Sequence, residues 1–247
     1  MKVLILANGA PPSQALLHRL AAAHDLFIAT DGAIHQAALL GVTPDIVSGD
    51  FDSVRLDEAR AAFPQAQFIA TPDQDQADLE KALGVARQHG ANRVTIVGAA
   101  GGRIDHLLGN FSLLLRYHTQ WDLSIMDDGS EVRALSGTDE TPGEWKIPTQ
   151  PNDLISLISL DGLAHVTVAE VRWPLADFPL PVGTLGISNR AAGEAVTVQV
   201  RGGVVFICHL FPDRSPAPNS GGVRGEKKAS FIPTPPELGA GGRSDAS

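Results

Sequence analysis

Four short stretches of the chain concentrate carboxylates: Thr30-Asp31-Gly32-Ala33, Ser48-Gly49-Asp50-Phe51-Asp52-Ser53, Thr71-Pro72-Asp73-Gln74-Asp75-Gln76-Ala77-Asp78, and Gly98-Ala99-Ala100-Gly101-Gly102-Arg103-Ile104-Asp105-His106. Like charges crowded together are unfavourable unless a cation compensates them. Magnesium suits that role, because it takes hard oxygen ligands and is held by one or two carboxylates plus substrate phosphates. Asp50 and Asp52 stand at i and i+2, where an extended or turning loop lets both flank one ion, and Gly49 allows close backbone approach. The last stretch offers the complementary chemistry. Glycines turn the chain into a helix that starts near Asp105, so exposed N–H groups and a positive dipole end form an anion site. Arg103 adds a planar fork matched to phosphate oxygens. Neither G-x-G-x-x-G nor G-x-x-x-x-G-K-[ST] occurs in that turn, which disfavours a nicotinamide enzyme and a P-loop NTPase.

Plainer roles compete for single acids. Asp31 reads equally as a helix cap or turn residue, Asp45 as part of the common Pro44-Asp45 turn, and Asp57 as a helix N-terminal charge. One of Asp73, Asp75 and Asp78 is expected to cap the helix that follows, and His106 reads as a helix N-terminal residue. A second acid among Asp73, Asp75 and Asp78 has no structural need, and for the Asp50/Asp52 pair the structural reading is the weaker of the two.

These loops must be held by a scaffold, and the spacing supplies one. Residues 1–127 alternate short β-branched runs (3–7, 26–30, 45–47, 67–70, 93–97 and 123–126) with helical periodicity (13–23, 33–40, 56–62, 77–89 and 105–118). Strand then helix, repeated, implies a parallel sheet covered on both faces, with ligands outside the carboxyl ends of its strands. From 128 to 211 helical periodicity fades, and runs at 154–160, 165–171, 195–200 and 204–210 predict a small antiparallel sandwich or barrel. The boundary falls between Asp127 and Trp145. Residues 212–247 carry six Pro, six Gly and five Ser, a composition expected to stay disordered.

Composition narrows the function classes. The 247 residues carry a formal net charge of −9, with 43% hydrophobic residues and a mean hydropathy of +0.03. That fits a soluble globular chain and makes nucleic acid or an anionic membrane an unexpected partner. Cys208 is the only cysteine, which excludes a Cys-based metal site and suits a cytoplasmic location. The apolar run 3–7 is short for a signal-peptide core and reads as a buried first strand.

In order and spacing, Ser48-Gly49-Asp50-Phe51-Asp52-Ser53, the segment from Asp73 to Leu83, Gly101-Gly102-Arg103-Ile104-Asp105-His106-Leu107-Leu108-Gly109-Asn110 and Gly186-Ile187-Ser188-Asn189 resemble the successive signatures of the thiamine pyrophosphokinase family. The resemblance covers roughly residues 1–211. It implies a Rossmann-like α/β catalytic domain (1–130), an antiparallel β-sandwich that helps bind thiamine (131–211) and the tail (212–247). It implies a homodimer with active sites between subunits, ATP and thiamine as substrates, and Mg2+ as cofactor. By the same resemblance Asp50, Asp52 and Asp78 are the metal-holding acids, and Arg103 and Asp105 are catalytic. Asp31, Gly101, Gly102 and His106 lie on the nucleotide side. Ser188 and Asn189 match the pair on the thiamine side, and Trp173 stands where the family often has an aromatic. The chain departs from the pattern at Ala77 (Thr is usual), Ala33 (Gly is common) and Arg190 (an acid is frequent). The same acidic edge also admits a pyrophosphokinase for another hydroxyalkyl heterocycle such as a pterin, a non-catalytic nucleotide or thiamine sensor, or a metal-dependent nucleotide hydrolase.

Overall fold

β1 (Lys2–Leu6), β2 (Leu26–Thr30), β3 (Ile46–Gly49), β4 (Gln67–Ala70), β5 (Arg93–Val97) and β6 (Asp122–Met126) lie parallel in the spatial order β4-β3-β2-β1-β5-β6. The computed structural model describes residues 1–52, 55–71, 73 and 75–211; the tail expected to be disordered lies outside the described residues. Both faces of the parallel strands are covered, which explains their nearly unbroken apolar sequences. Val3, Ile5, Ile28, Ile46 and Ile96 face a core shared with α4 (Asp78–Gln88) and α5 (Ile104–Tyr117). Leu4, Leu6, Phe27, Ala29 and Val47 face a second core built by α1 (Gln14–Ala23), α2 (Ile34–Leu39) and α3 (Leu56–Ala62). Ser13 caps α1, its hydroxyl accepting from the Leu16 amide at 3.1 Å. The strand order reverses between β1 and β5, and such a reversal opens a crevice at the strand ends.

The sheet does not stop at β6. β7 (Ser130–Ser136) turns back antiparallel beside it, and β14 (Val204–Leu210), β9 (Leu154–Ser159) and β12 (Asn189–Arg190) extend the same ladder to ten strands. A four-stranded antiparallel sheet packs on this extension in the order β11 (Leu175–Pro179), β10 (His165–Ala169), β13 (Ala195–Arg201), β8 (Gly143–Pro148). Their shared core holds Ile147, Ile155, Leu157, Val166, Val168, Val198, Val205 and Ile207. The result is the expected α/β layer joined to an antiparallel sandwich. One sheet of the sandwich continues the parallel sheet across the turn after Met126.

β14 shows how the two parts share a strand. Val205 and Ile207 point into the sandwich, while Phe206 and Cys208 pack against the α4–α5 core. Burial pushes the Cys208 thiol up to about 11, so it is protonated and a poor nucleophile. No helix among the described residues is long and apolar enough to cross a membrane.

Candidate active site

A cleft of about 480 Å³ opens at the strand reversal, lined among others by Asn8, Thr30, Asp50, Asp78, Lys81 and Arg103. Two loops meet there. The Gly9 amide donates to the Gly98 carbonyl at 2.6 Å, and the Ala10 amide to the Ala100 carbonyl at 2.7 Å. A Cβ on Gly9 would stand 2.5 Å from both of those carbonyl oxygens, so only glycine permits this approach. Asn110 on α5 holds the second loop by donating to the Ala99 carbonyl at 2.8 Å.

On the other wall, Asp31 acts as a brace. It is 2% exposed, one carboxylate oxygen accepting from the Gly32 amide at 2.7 Å and the other from the Phe51 amide at 2.9 Å. Burial raises its pKa, against the two amide hydrogen bonds and with help from the charges of Asp78 and Asp50. Asp31 thus shapes the turn that presents Asp50 and does not itself line the cleft. Asp50 does line it, and its Oδ1 accepts from the Asp52 amide at 3.2 Å. The Asp52 side chain is exposed and outside the cleft lining.

Asp78 opens α4, and Lys81 follows one turn later. The Lys81 ammonium lies 3.3 Å from Asp50 and 3.3 Å from Asp78, with its side chain only 4% exposed. Burial alone would lower its pKa, but the hydrogen bonds to Asp78 and Asp50 outweigh that and hold it above the ordinary lysine value. None of Asp73, Asp75 and Asp78 caps the helix in the expected way. The N-cap residue is Ala77, without a side-chain hydrogen bond, and Asp73 instead accepts from the Asp75 amide at 2.9 Å. The first amides of α4 therefore carry no cap, and Ala77 and Asp78 both line the cleft.

α5 presents the same kind of end. Arg103 is its N-cap residue and gives no side-chain cap, and the two preceding glycines take φ of +77° and +71°. Gly101, Gly102, Arg103 and His106 line the cleft. Asp105 lies at its rim, in a neighbouring depression shared with Ala77 and His106. Arg103 grips it through two bonds of 3.1 Å and 2.5 Å, holding the carboxyl at about 2. A carboxylate held that low is a weak proton acceptor. Arg103→Ala is expected to return the Asp105 titration, followed by carboxyl-carbon NMR, toward the ordinary aspartate range. Because both side chains are solvated, added salt should narrow the gap between wild type and variant. An unchanged midpoint in the variant would remove Arg103 as the cause.

Ser188, Asn189 and Trp173 form a second group. Asn189 exchanges hydrogen bonds with the backbone of Trp173, donating to its carbonyl at 2.7 Å and accepting from its amide at 3.2 Å. Arg172 lies over the Trp173 ring at 4.8 Å. Ser188 is exposed with φ of +67°, and its amide donates to the Ser156 hydroxyl at 3.0 Å. β12 carries Asn189 at the sheet edge, five strand positions from β5. At about 4.8 Å per strand that is roughly 24 Å. The chain does not line the acidic cleft with these residues.

Comparison with known proteins agrees with both halves. Residues 17–126 match the family described as thiamin pyrophosphokinase, catalytic domain, and residues 144–205 match thiamin pyrophosphokinase, vitamin B1 binding domain. The thiamine pyrophosphokinase of Bacillus subtilis is 30% identical over 191 residues, covering 74% of this chain and 86% of the relative. The chain belongs to the thiamine pyrophosphokinase family. The crystal structure of the Bacillus subtilis protein aligns with a TM-score of 0.72 at 25% identity, over 85% of this chain and 99% of that one. Yeast thiamin pyrophosphokinase shares the fold at 16% identity, with a TM-score of 0.69 over 87% of each chain.

Within the family match, Asp31, Asp50, Asp52, Asp78, Arg103 and Asp105 fall in the catalytic region, and Trp173, Ser188 and Asn189 in the vitamin-binding region. The structure brings Asp50, Asp78, Gly101, Gly102, Arg103 and His106 together, and leaves Asp31 behind the wall and Asp52 and Asp105 outside the lining. Sequence reasoning missed Asn8 and Gly9, which precede the catalytic-domain match. Their signal was available, since Asn8-Gly9 follows the first strand as the acidic loops follow the next ones. Lys81 was missed too. It stands inside the quoted motif, but nothing in one sequence marks a lysine on a helix as buried.

Proposed function

We propose that this chain transfers the pyrophosphoryl group of ATP to the hydroxyl of thiamine, giving thiamine diphosphate and AMP. The observation that carries the reading is one cleft, at the strand reversal of a family member, that faces an acid pair and two helix N-termini whose N-cap residues, Ala77 and Arg103, give no side-chain cap. The thiamine oxygen bonds to the β-phosphorus of ATP, the bond from that phosphorus to the α-phosphate oxygen breaks, and the alcohol proton is given up. Positioning and charge neutralisation supply most of the rate in such transfers. The amides of the Gly101–Gly102 turn and the Arg103 guanidinium stabilise phosphate charge. Asp78, which lines the cleft while Asp105 lies at its rim, is the better placed acid to take the alcohol proton.

Magnesium fits the donor set. Asp50 and Asp78 offer hard oxygens on one cleft, with Asp52 on the same turn as Asp50, and the buried Thr30 hydroxyl beside them has no hydrogen-bond partner among the described residues. No group of three or more His, Cys, Asp or Glu among the described residues could hold an ion by itself, so phosphate oxygens complete the set. Bound there, the ion would neutralise phosphate charge.

Thiamine is held by Ser188, Asn189 and Trp173 in this reading. Their distance from the cleft within one chain supports a homodimer in which a second copy completes each site. The reading puts the enzyme in the cytoplasm, with ATP and thiamine as its partners. The test incubates the full chain with ATP and thiamine, with and without Mg2+, and follows AMP and thiamine diphosphate together. Both products are expected only with thiamine and metal present. AMP formed at full rate with a pterin alcohol, or ATP consumed equally without thiamine, would overturn the assignment.

A further inference from the structure

Lys81 occupies the place between Asp50 and Asp78 where a bare cation would otherwise sit. It is 3.3 Å from each carboxylate and 4% exposed, so water contributes little to its solvation. A buried ammonium persists in such a place only when it is paired. Lys81 shares one face of α4 with Asp78 at i,i+3, while Asp50 reaches it from the end of β3. The Asp31 brace fixes the Asp50 turn from behind. The trio is therefore positioned before any ligand arrives.

We propose that Lys81 is a built-in counter-cation that keeps the Asp50–Asp78 pair from holding a divalent ion alone, so that metal enters only with a polyphosphate. Two negative charges and one positive leave the trio a single net negative charge, and affinity for hard divalent ions follows ligand charge count. With Asp52 outside the lining and Asp31 behind the wall, no third acid lines the cleft among the described residues to make up the deficit. A metal–triphosphate complex differs from the bare ion. It brings its own oxygen ligands, and its phosphate charge is favoured by Lys81 and by the N-termini of α4 and α5. Lys81 is in this account a positioning residue, acting through the two acids and through the order in which ligands can bind. The consequence is a site that stays empty of metal until nucleotide is present. The inference rests on the proposed function only for the identity of the polyphosphate.

The test needs no turnover. Mn2+ is the probe, its binding to the full chain read by the EPR signal of the free ion. The wild type is expected to bind Mn2+ weakly without nucleotide. With α,β-methylene ATP, which cannot be cleaved at the bond in question, Mn2+ is expected to become protein-bound. Lys81→Met removes the charge at similar length and is expected to bind Mn2+ without nucleotide at least about tenfold tighter than the wild type. Lys81→Arg keeps the charge and is expected to stay weak. Mn2+ should also raise the melting temperature of Lys81→Met more than that of the wild type. Tight, nucleotide-free Mn2+ binding by the wild type overturns the proposal, and that measurement decides even if Lys81→Met fails to fold. A folded Lys81→Met that binds no tighter than wild type overturns it as well. An inactive wild type with the expected Mn2+ behaviour would instead sink the catalytic reading and leave this one standing.

Discussion

Asp50→Asn is expected to lower kcat roughly 100- to 1,000-fold, the range seen when one preorganised charge-stabilising group is removed from an active site. The substitution keeps the shape of the side chain and removes its charge. Asp50, like Asp78, lines the cleft and touches Lys81, and it is the less exposed of the two, at 23% against 51%. The fold should survive. Lys81 keeps Asp78 as a charged partner, so the loss is one charge-assisted hydrogen bond, about 1.5–3 kcal/mol. For a chain of this size that lowers Tm by about 3–12 °C, at roughly 2–4 °C per kcal/mol. Asp52→Asn is the informative comparison. Its side chain is exposed and outside the lining, so it is expected to cost less than about tenfold, the size of one modest interaction of about 1.4 kcal/mol. Steady-state kinetics at saturating Mg2+, run beside melting curves, give both answers. If Asp52→Asn were the more damaging variant, the assignment of the working carboxylate to Asp50 would be wrong.

That contrast marks where the sequence was informative and where it was not. The parallel strands were legible because their apolar runs are buried on both sides, except at the edge strand β4, which has no fully buried residue. The 26–30, 67–70 and 93–97 runs form β2, β4 and β5 with the bounds their pattern predicts. The same rule fails in the sandwich. β8 buries only Ile147 fully, β11 is an edge strand with no fully buried residue, and β12 is two residues long. None of them carries a hydrophobic signal strong enough to see. At the site, spacing pointed to the Asp50 turn but could not choose between Asp50 and Asp52. That choice depends on a backbone feature, the left-handed Phe51 at φ of +61°, whose amide bonds to Asp31. Charge repulsion among the acids led to the expectation of a magnesium ion. What the structure places between Asp50 and Asp78 is the Lys81 ammonium, and burial of a lysine depends on tertiary packing that a single sequence does not display.

Gly49→Ala tests the brace behind the site, and it should damage both stability and turnover. A Cβ at Gly49 would stand 2.2 Å from Asp31 Cγ, 2.3 Å from its Oδ2 and 2.6 Å from its Cβ. The backbone conformation is not the obstacle, so the cost is steric. Asp31 has little room to retreat, because it is 2% exposed and its carboxylate holds the Gly32 and Phe51 amides at 2.7 Å and 2.9 Å. Overpacking of this kind costs about 1–3 kcal/mol. If Asp31 yields by releasing the Phe51 amide, a buried polar group loses its partner at about 1–3 kcal/mol more. Release of that amide also lets the turn carrying Asp50 move, and small misplacements of a reacting group cost rate steeply, about 100-fold for 1 Å. The expected result is a clear fall in Tm together with a fall in kcat larger than unfolding at the assay temperature explains. Gly84→Ala serves as the matched control. It lies on α4, a Cβ there meets nothing within 4 Å, and alanine should leave stability unchanged or raise it by up to about 1 kcal/mol. Wild-type melting and kinetics in Gly49→Ala would mean that Asp31 moves freely, and the account of Asp31 as a fixed support for Asp50 would then be untenable.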